Sequence, residues 1–246
     1  MLDYDREAER YDALRGGEPR AAAAAEALLR LIPEDAGRLL DMACGTGIVT
    51  RRLAAGRPGL RVTGVDLAYG MARRAAGRMP GAVLLADSRR LPFPDATFDA
   101  VTSVWLLHLL DGPEQVRAVL GECARVLRPG GVCVTTVDKA DAHDVGSDID
   151  RVVADRPRRP AADGTEAVTA HAAACGLLPA GRARFPGVGQ GRTPRTVLAD
   201  LRRGWFTTVA PDSPLGERIA ARLRRLPDQD RPRPDPEFTV RAYRKG

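Results

Sequence analysis

The sequence predicts an α/β protein built on a doubly wound, Rossmann-like sheet. Three observations carry this. Short apolar runs, "GRLLDMAC", "LRVTGVDL", "AVLLAD", "TFDAVTSVW" and "GVCVTTVD", alternate with segments of helical period. The first run ends in a glycine-bearing turn that leads straight into a helix, and such alternation indicates a parallel sheet with helices on both faces. Finally, the terminal "FTVRAYRK" alternates Phe238, Val240 and Ala242 with polar residues, as a half-buried strand does. A chain of 246 residues accommodates one such domain with a full core and is marginal for two.

The elements follow in order. From Glu7 to Leu31 the composition is helical with a break at "RGGEP", so two short helices are expected before the first strand. "IVTRRLAAGRPG" closes a helix at Gly56, "YGMARRAAGRMPG" gives the next, and "PEQVRAVLGECARVLRPGG" is a capped helix with Pro113 in its first turn. After Asp138 the rhythm breaks, and the polar "KADAHDVGSDIDRVVADRPRRPAAD" is expected as a loop over the carboxyl edge of the sheet. "TEAVTAHAAACG" is a helix ending at Gly176, and "LLPAGRARFPG" is a strand. Two arginine-rich helical segments, "TPRTVLADLRRGW" and "SPLGERIAARLRRL", separate it from the final strand and look like an inserted cap.

Composition narrows the function classes. No run of eighteen apolar residues occurs and the N-terminus is charged, so a soluble, cytoplasmic protein without membrane contact is expected. Cys44, Cys123, Cys133 and Cys175 lack C-x-x-C spacing and predict buried thiols rather than disulfides or zinc. The net charge of +6 is uneven: residues 181–246 carry 15 basic and 7 acidic side chains, the rest 23 and 25. An anionic partner would meet the C-terminal third, yet arginines spread over a solvated surface explain the same numbers, and nucleic acid is not the expected partner.

In "LLDMACGTGIVTRRL", Leu39 to Leu53, the glycines let a ligand approach backbone N–H groups at a helix start. No third glycine follows Gly47 at the spacing of a dinucleotide fingerprint, and Asp41 would repel phosphate but receive a cationic amino group. Asp66, about twenty residues on, is placed to take both hydroxyls of a ribose. Asp87 and Ser88 supply polar groups for an adenine edge. Ribose, adenine and an amino-acid end without phosphate describe S-adenosylmethionine.

From "LLDMACGTG" through "GVDLAYGM", "LLADSRRLPFPDATFDAVTSVWLLHLL" and "ARVLRPGGV", roughly residues 37–137, the chain resembles the class I S-adenosylmethionine-dependent methyltransferases of the small-molecule type. The resemblance implies a seven-stranded sheet with an antiparallel last strand. It further implies a single domain over 1–246: an N-terminal helical lid at 1–36, a cofactor-binding core at 37–138 and a helical cap at 193–226. Ala43 stands where the family has glycine, so a slightly tighter turn with intact binding is expected. Carried over residue by residue, the resemblance assigns Asp41, Ala43 and Gly45 to the methionine part and Asp66 to the ribose. It places Leu67 and Met71 on the adenine faces, Asp87 and Ser88 at its polar edge, and Val104 and Trp105 beside the sulfonium. Tyr4, Tyr11 and Arg15 are lid candidates, Tyr11 first among them.

Methyl transfer needs positioning above all, and a hydroxyl acceptor gains from a general base. His143, in the loop over the site, is the preferred base and His108 the second, while His171 reads as a helix residue. Asp138, Asp141, His143 and Asp144 have hard-ligand chemistry, but an Asp-rich solvated loop is the plainer reading and no metal is expected. The leading reading is O- or N-methylation of a small secondary-metabolite acceptor by a monomer or homodimer. The alternatives are an RNA or protein methyltransferase using the basic cap, and a cofactor-binding relative with non-methylating chemistry such as cyclisation.

Overall fold

The structure, a computed structural model, describes residues 4–157, 161–204 and 208–246. Three helices come first, α1 (Tyr4–Glu7), α2 (Tyr11–Leu14) and α3 (Gly17–Leu29), one more than the sequence suggests. The break expected at "RGGEP" is present, where Gly16 and Gly17 both take left-handed backbone, with φ of 80° and 50°; the additional break separates α1 from α2 at residues 8–10. The alternating section then runs β1 (Arg38–Met42), α4 (Ile48–Gly56), β2 (Arg61–Asp66), α5 (Tyr69–Arg78), β3 (Val83–Leu85), β4 (Phe98–Ser103), α6 (Pro113–Val126) and β5 (Leu127–Val137). α6 has Pro113 in its first turn as expected, but its N-cap is Gly112, without a side-chain cap.

The polar stretch after Asp138 is not a plain loop. It contains α7 (Lys139–Ala142) and α8 (Asp148–Val153). Ser147 and Asp150 form a reciprocal capping box at the start of α8, and Ile149, Val152 and Val153 give that helix a buried face. The rest is α9 (Thr165–Ala174), β6 (Leu177–Pro186), α10 (Pro194–Arg202), α11 (Pro214–Arg225) and β7 (Glu237–Lys245).

The seven strands order as β3-β2-β1-β4-β5-β7-β6. β1 to β5 pair in parallel, and β7 runs antiparallel to both neighbours. The order reverses between β1 and β4, and a ligand cleft is expected at the carboxyl ends there. Strand alternation feeds two cores. Leu39, Val132, Val134, Phe238, Val240 and Ala242 pack with α3 and α4, while Leu40, Cys133 and Tyr243 pack with α6 and α9 on the other face. The buried Tyr243 keeps its hydroxyl 3.1 Å from Thr169 Oγ1, so its apolar body is buried without stranding the polar tip. Cys44, Cys123 and Cys133 are buried free thiols and Cys175 is half-buried.

A third, separate core joins α8 to α10 and α11 through Ile149, Val152, Val153, Val197, Leu201, Val209, Ile219 and Leu223. The cap helices therefore bury their apolar stripes against α8 and each other. The arginines expected outside, Arg202, Arg203, Arg224 and Arg225, are exposed. Trp205 and Phe206 lie outside the described residues.

Candidate functional site

The carboxyl ends of β1, β2, β4 and β5 open into a cleft of about 560 Å³. Its floor is the turn after β1. Ala43, Gly45 and Gly47 alternate with other residues at φ of 53°, 58° and 75°, which winds the chain from strand to helix in five residues. At Gly47 a side chain would stand 2.9 Å from the Cα and Cβ of Ala75, so α4 and α5 meet here only because that position is bare. At Gly45 the space is open to 4 Å, and the residue lines the cleft. Ala43 carries a methyl group in a conformation that costs an L-residue about 1–2 kcal/mol. Ala43→Gly is accordingly expected to raise stability by about 1 kcal/mol, after the greater unfolded-state freedom of glycine is allowed for. A lowered denaturant midpoint for that variant would contradict the strain.

Two carboxylates organise the turn. The carboxylate of Asp66, 8% exposed at the end of β2, accepts from the backbone N–H of Gly45 (2.8 Å) and of Ala68 (2.9 Å). Burial nonetheless holds its carboxyl above the usual range, opposed by those backbone bonds. Asp41 is buried within β1 and accepts from Thr50 Oγ1 (2.6 Å) and Thr102 Oγ1 (2.7 Å). Desolvation pushes it from 3.8 up to about 6, against those two hydroxyl bonds. Both folded and unfolded chains are protonated at Asp41 below 3.8, so its contribution to stability is full there and is lost as the pH rises through about 6. The difference between 3.8 and about 6 corresponds to roughly 3 kcal/mol. Asp41→Asn should remove this dependence. Between pH 4 and pH 7 the stability of the variant relative to wild type is expected to improve by up to about that amount in denaturant titrations, and a constant difference would refute the assignment.

The remaining residues singled out from the sequence mostly converge here. Tyr4, Tyr11, Asp41, Ala43, Gly45, Asp66, Leu67, Met71, Asp87, Ser88, Val104, Trp105 and His108 all line the cleft. Leu67 is 64% exposed while Met71 is buried, so an apolar slot opens between them. The Asp87 carboxylate is held by Arg89, which donates from Nε at 3.0 Å and from its terminal nitrogen at 2.7 Å and keeps the carboxyl below its usual range. The N-terminal helices are fastened to the turn and to α5: Asp12 accepts from Thr46 Oγ1 and from Arg78, both at 2.6 Å, and Asp5 accepts from the Gly70 N–H at 2.6 Å. Tyr4, mostly by burial and then by the neighbouring Tyr11, has its hydroxyl pushed up to about 12.

The structure corrects several expectations. His143 is not among the lining residues; its ring lies edge-on to Phe238 at 5.6 Å, and burial holds it neutral, down to about 3. His108, in a short 3-10 turn at Leu107–Leu109, does line the cleft, but its Nε2 stands 2.9 Å from Lys139 Nζ. Burial and then Lys139 hold His108 down to about 2, so with Lys139 an ammonium the ring is neutral and Nε2 accepts. Trp105 turns its ring away along the sheet, 5.8 Å from Phe185 and 5.7 Å from Phe238. Its backbone is left-handed, φ 60°, pinned by a bond from its N–H to Thr136 Oγ1 (2.7 Å). The cap does not wall the cleft as expected: Val197 and Leu201 serve the third core, Leu198 packs against it, and no described residue of 193–226 lines the cavity. Asp138 is spent on Thr165, accepting from its N–H and hydroxyl, and no cluster among the described residues could hold a metal ion.

Among the lining residues that escaped the sequence reading, two are buried cations. Arg20, on α3, is 4% exposed and sets its guanidinium carbon 4.1 Å from the Trp105 ring centroid. Lys139 follows β5, and burial, then Arg15, pushes it down to about 8 despite Asp163 nearby. A signal for the second existed: it is one of only two lysines in an arginine-rich chain.

Residues 40–135, the strands and turn just described, match the methyltransferase domain family. They form a class I methyltransferase domain. Its cofactor is S-adenosylmethionine. A ubiquinone/menaquinone biosynthesis C-methyltransferase of Desulfotalea psychrophila is 40% identical to the chain over 102 residues, 40% of each protein. A malonyl-acyl-carrier-protein O-methyltransferase of Geobacter sulfurreducens is 37% identical over 127 residues, 48% of each. The chain thus spans less than half the length of these two relatives. Among solved structures, the 4+2 cyclase SpnF aligns over 98% of this chain and 93% of its own with a TM-score of 0.62 and 20% identity, a likeness of fold. The methyltransferase domain fits its cofactor on three counts: open space above Gly45, a buried carboxylate at Asp66, and an apolar slot between Leu67 and Met71. No helix among the described residues is long and apolar enough to cross a membrane.

Proposed function

We propose that the whole chain methylates a small-molecule acceptor, at oxygen or nitrogen, within this cleft. The observation that carries the reading is the cleft's size and lining: Tyr4, Tyr11, Arg15 and Arg20 of the N-terminal helices line it opposite the strand ends, and its volume of about 560 Å³ suits two small molecules rather than a polymer. When bound, the cofactor supplies an activated methyl group for in-line displacement. Asp66 receives the ribose, Leu67 and Met71 cover the adenine, and Asp87 with Ser88 lies at its edge. The turn at Ala43 and Gly45 holds the methionine part, and Asp41 fixes β1 beneath it through Thr50 and Thr102. Val104 stands at the reacting end, and the Trp105 ring is turned from it toward Phe185 and Phe238. The reaction is carried by positioning. His108 acts on Lys139 rather than as a free base, and His143 lies too far into the Phe238 contact to serve. The relatives' names, for ubiquinone/menaquinone biosynthesis and for malonyl-acyl-carrier protein, support methylation of a small group without naming this chain's acceptor.

Incubation with methyl-labelled cofactor and either a metabolite panel or total RNA tests the proposal. Label is expected in a small molecule, and reversing the charges of Arg202, Arg203, Arg224 and Arg225 should change turnover by less than about twofold. Label in RNA, lost with the same reversals and with rising salt, would favour the polymer reading. Turnover without demethylated cofactor would point to cyclase-like chemistry, which this fold also supports in a solved relative.

A further inference from the structure

Charge is unevenly spread along the cleft. Asp41, Asp66 and Asp87 stand at the ends of β1, β2 and β3, Asp5 lines it from α1, and Asp111 lines it from the connection after β4. At the other end, beyond the reversal of strand order, Arg20 and Lys139 line it with Arg15 beside them. A cationic cofactor, sulfonium and ammonium, matches the acidic half. The basic half awaits something else.

Two buried cations brought together work against folding unless an anion joins them. Arg20 forms no ion pair with any described carboxylate; its side chain bonds Tyr11, its Nε has no hydrogen-bond partner, and its guanidinium carbon lies 4.1 Å from the Trp105 ring centroid. Lys139 gives one hydrogen bond, to His108, from an ammonium with three donors, and Asp163 lies near it without pairing. Trp105 Nε1 likewise lacks a partner. The unused groups here include three sets of donors, Arg20 Nε, Trp105 Nε1 and two protons of Lys139, beside one unpartnered acceptor, Asp163 Oδ1. Lys139 is displaced downward by burial first and then by Arg15, with Asp163 opposing and Arg20 adding a smaller push in the same direction as Arg15.

We infer that the acceptor is an anion, a carboxylate-bearing small molecule whose charged group is held by Arg20 and Lys139 at the β4–β5 end of the cleft. His108 is the positioning residue, since its Nε2 fixes one Lys139 proton and turns the others toward the ligand. Arg20, with its planar fork braced on an indole, is suited to a carboxylate. The inference rests on the methyltransferase reading, because it assumes the other half of the cleft is filled by cofactor. The carboxylate of the cofactor's own methionine tail has the same chemistry, so the test must separate the two sources.

The full chain, loaded with S-adenosylhomocysteine, is titrated calorimetrically with acetate, benzoate and decanoate and with their neutral amides. At least one acid is expected to bind tenfold or more tightly than its amide. Arg20→Met and Lys139→Met should each erase that preference, Arg20→Lys should keep part of it, and S-adenosylhomocysteine affinity should hold within about twofold in all. Absence of any acid preference in the wild-type protein overturns the inference whatever the variants do. So does a preference that survives both methionine variants, or variants that weaken S-adenosylhomocysteine binding instead, which would give the two cations to the methionine tail. Failure of S-adenosylhomocysteine to bind the wild-type chain would instead reject the methyltransferase reading beneath it.

Discussion

Asp66→Ala is expected to weaken S-adenosylhomocysteine binding by at least tenfold in calorimetry. A carboxylate receiving two ribose hydroxyls contributes hydrogen bonds of about 1.5–3 kcal/mol each, and every 1.4 kcal/mol is roughly tenfold in affinity. The same carboxylate also clamps the Gly45 and Ala68 N–H groups, so its removal loosens the turn as well as the ribose contact. The two effects separate with a second ligand. If Asp66 touches the ribose, the wild-type protein discriminates against the 2′-deoxy analogue and Asp66→Ala does not, because the variant has no bond left to lose. Equal discrimination by both proteins would confine Asp66 to the turn and remove it from the ligand.

Gly45→Val should abolish binding altogether while the protein stays folded. The residue sits at φ 58°, which a β-branched side chain tolerates poorly, at a cost of about 1–3 kcal/mol. That strain is local, and no atom lies within 4 Å of the added Cβ, so the fold has no clash to relieve. What the side chain does occupy is the open cleft above the turn. The expected result is a native circular dichroism spectrum with no measurable heat on titration with S-adenosylhomocysteine. Retained binding would mean that the ligand passes elsewhere. A collapsed spectrum would mean that the strain propagates into β1 and α4.

The turn and the sheet were legible because their causes are local. Period-two and period-3.6 patterns, the glycines after Asp41 and the acid ending β2 are written in consecutive residues, and each reappears at the expected place. The boundary of α8 was legible too, in "SDID", but a capping box in a polar stretch was outweighed by the prolines that follow. What resisted reading depends on distant partners. Nothing near Arg20 in sequence announces Trp105, 85 positions on, and nothing near His143 announces Phe238. The helical period of α10 and α11 showed that they bury a stripe. It did not show against what, and α8, the element that receives them, was read as loop.

The third core has one more consequence. Because α8, α10 and α11 satisfy one another's apolar faces and send no described side chain into the cleft, they form a unit whose volume and length are free to change without repacking the ligand site. The N-terminal helices are tied in differently, since the helices that supply Tyr4 and Tyr11 to the cleft also hold the turn through Asp12 and α5 through Asp5. Exchanging apolar side chains within α8, α10 and α11 is therefore expected to change stability while leaving the lining of the cleft as it is.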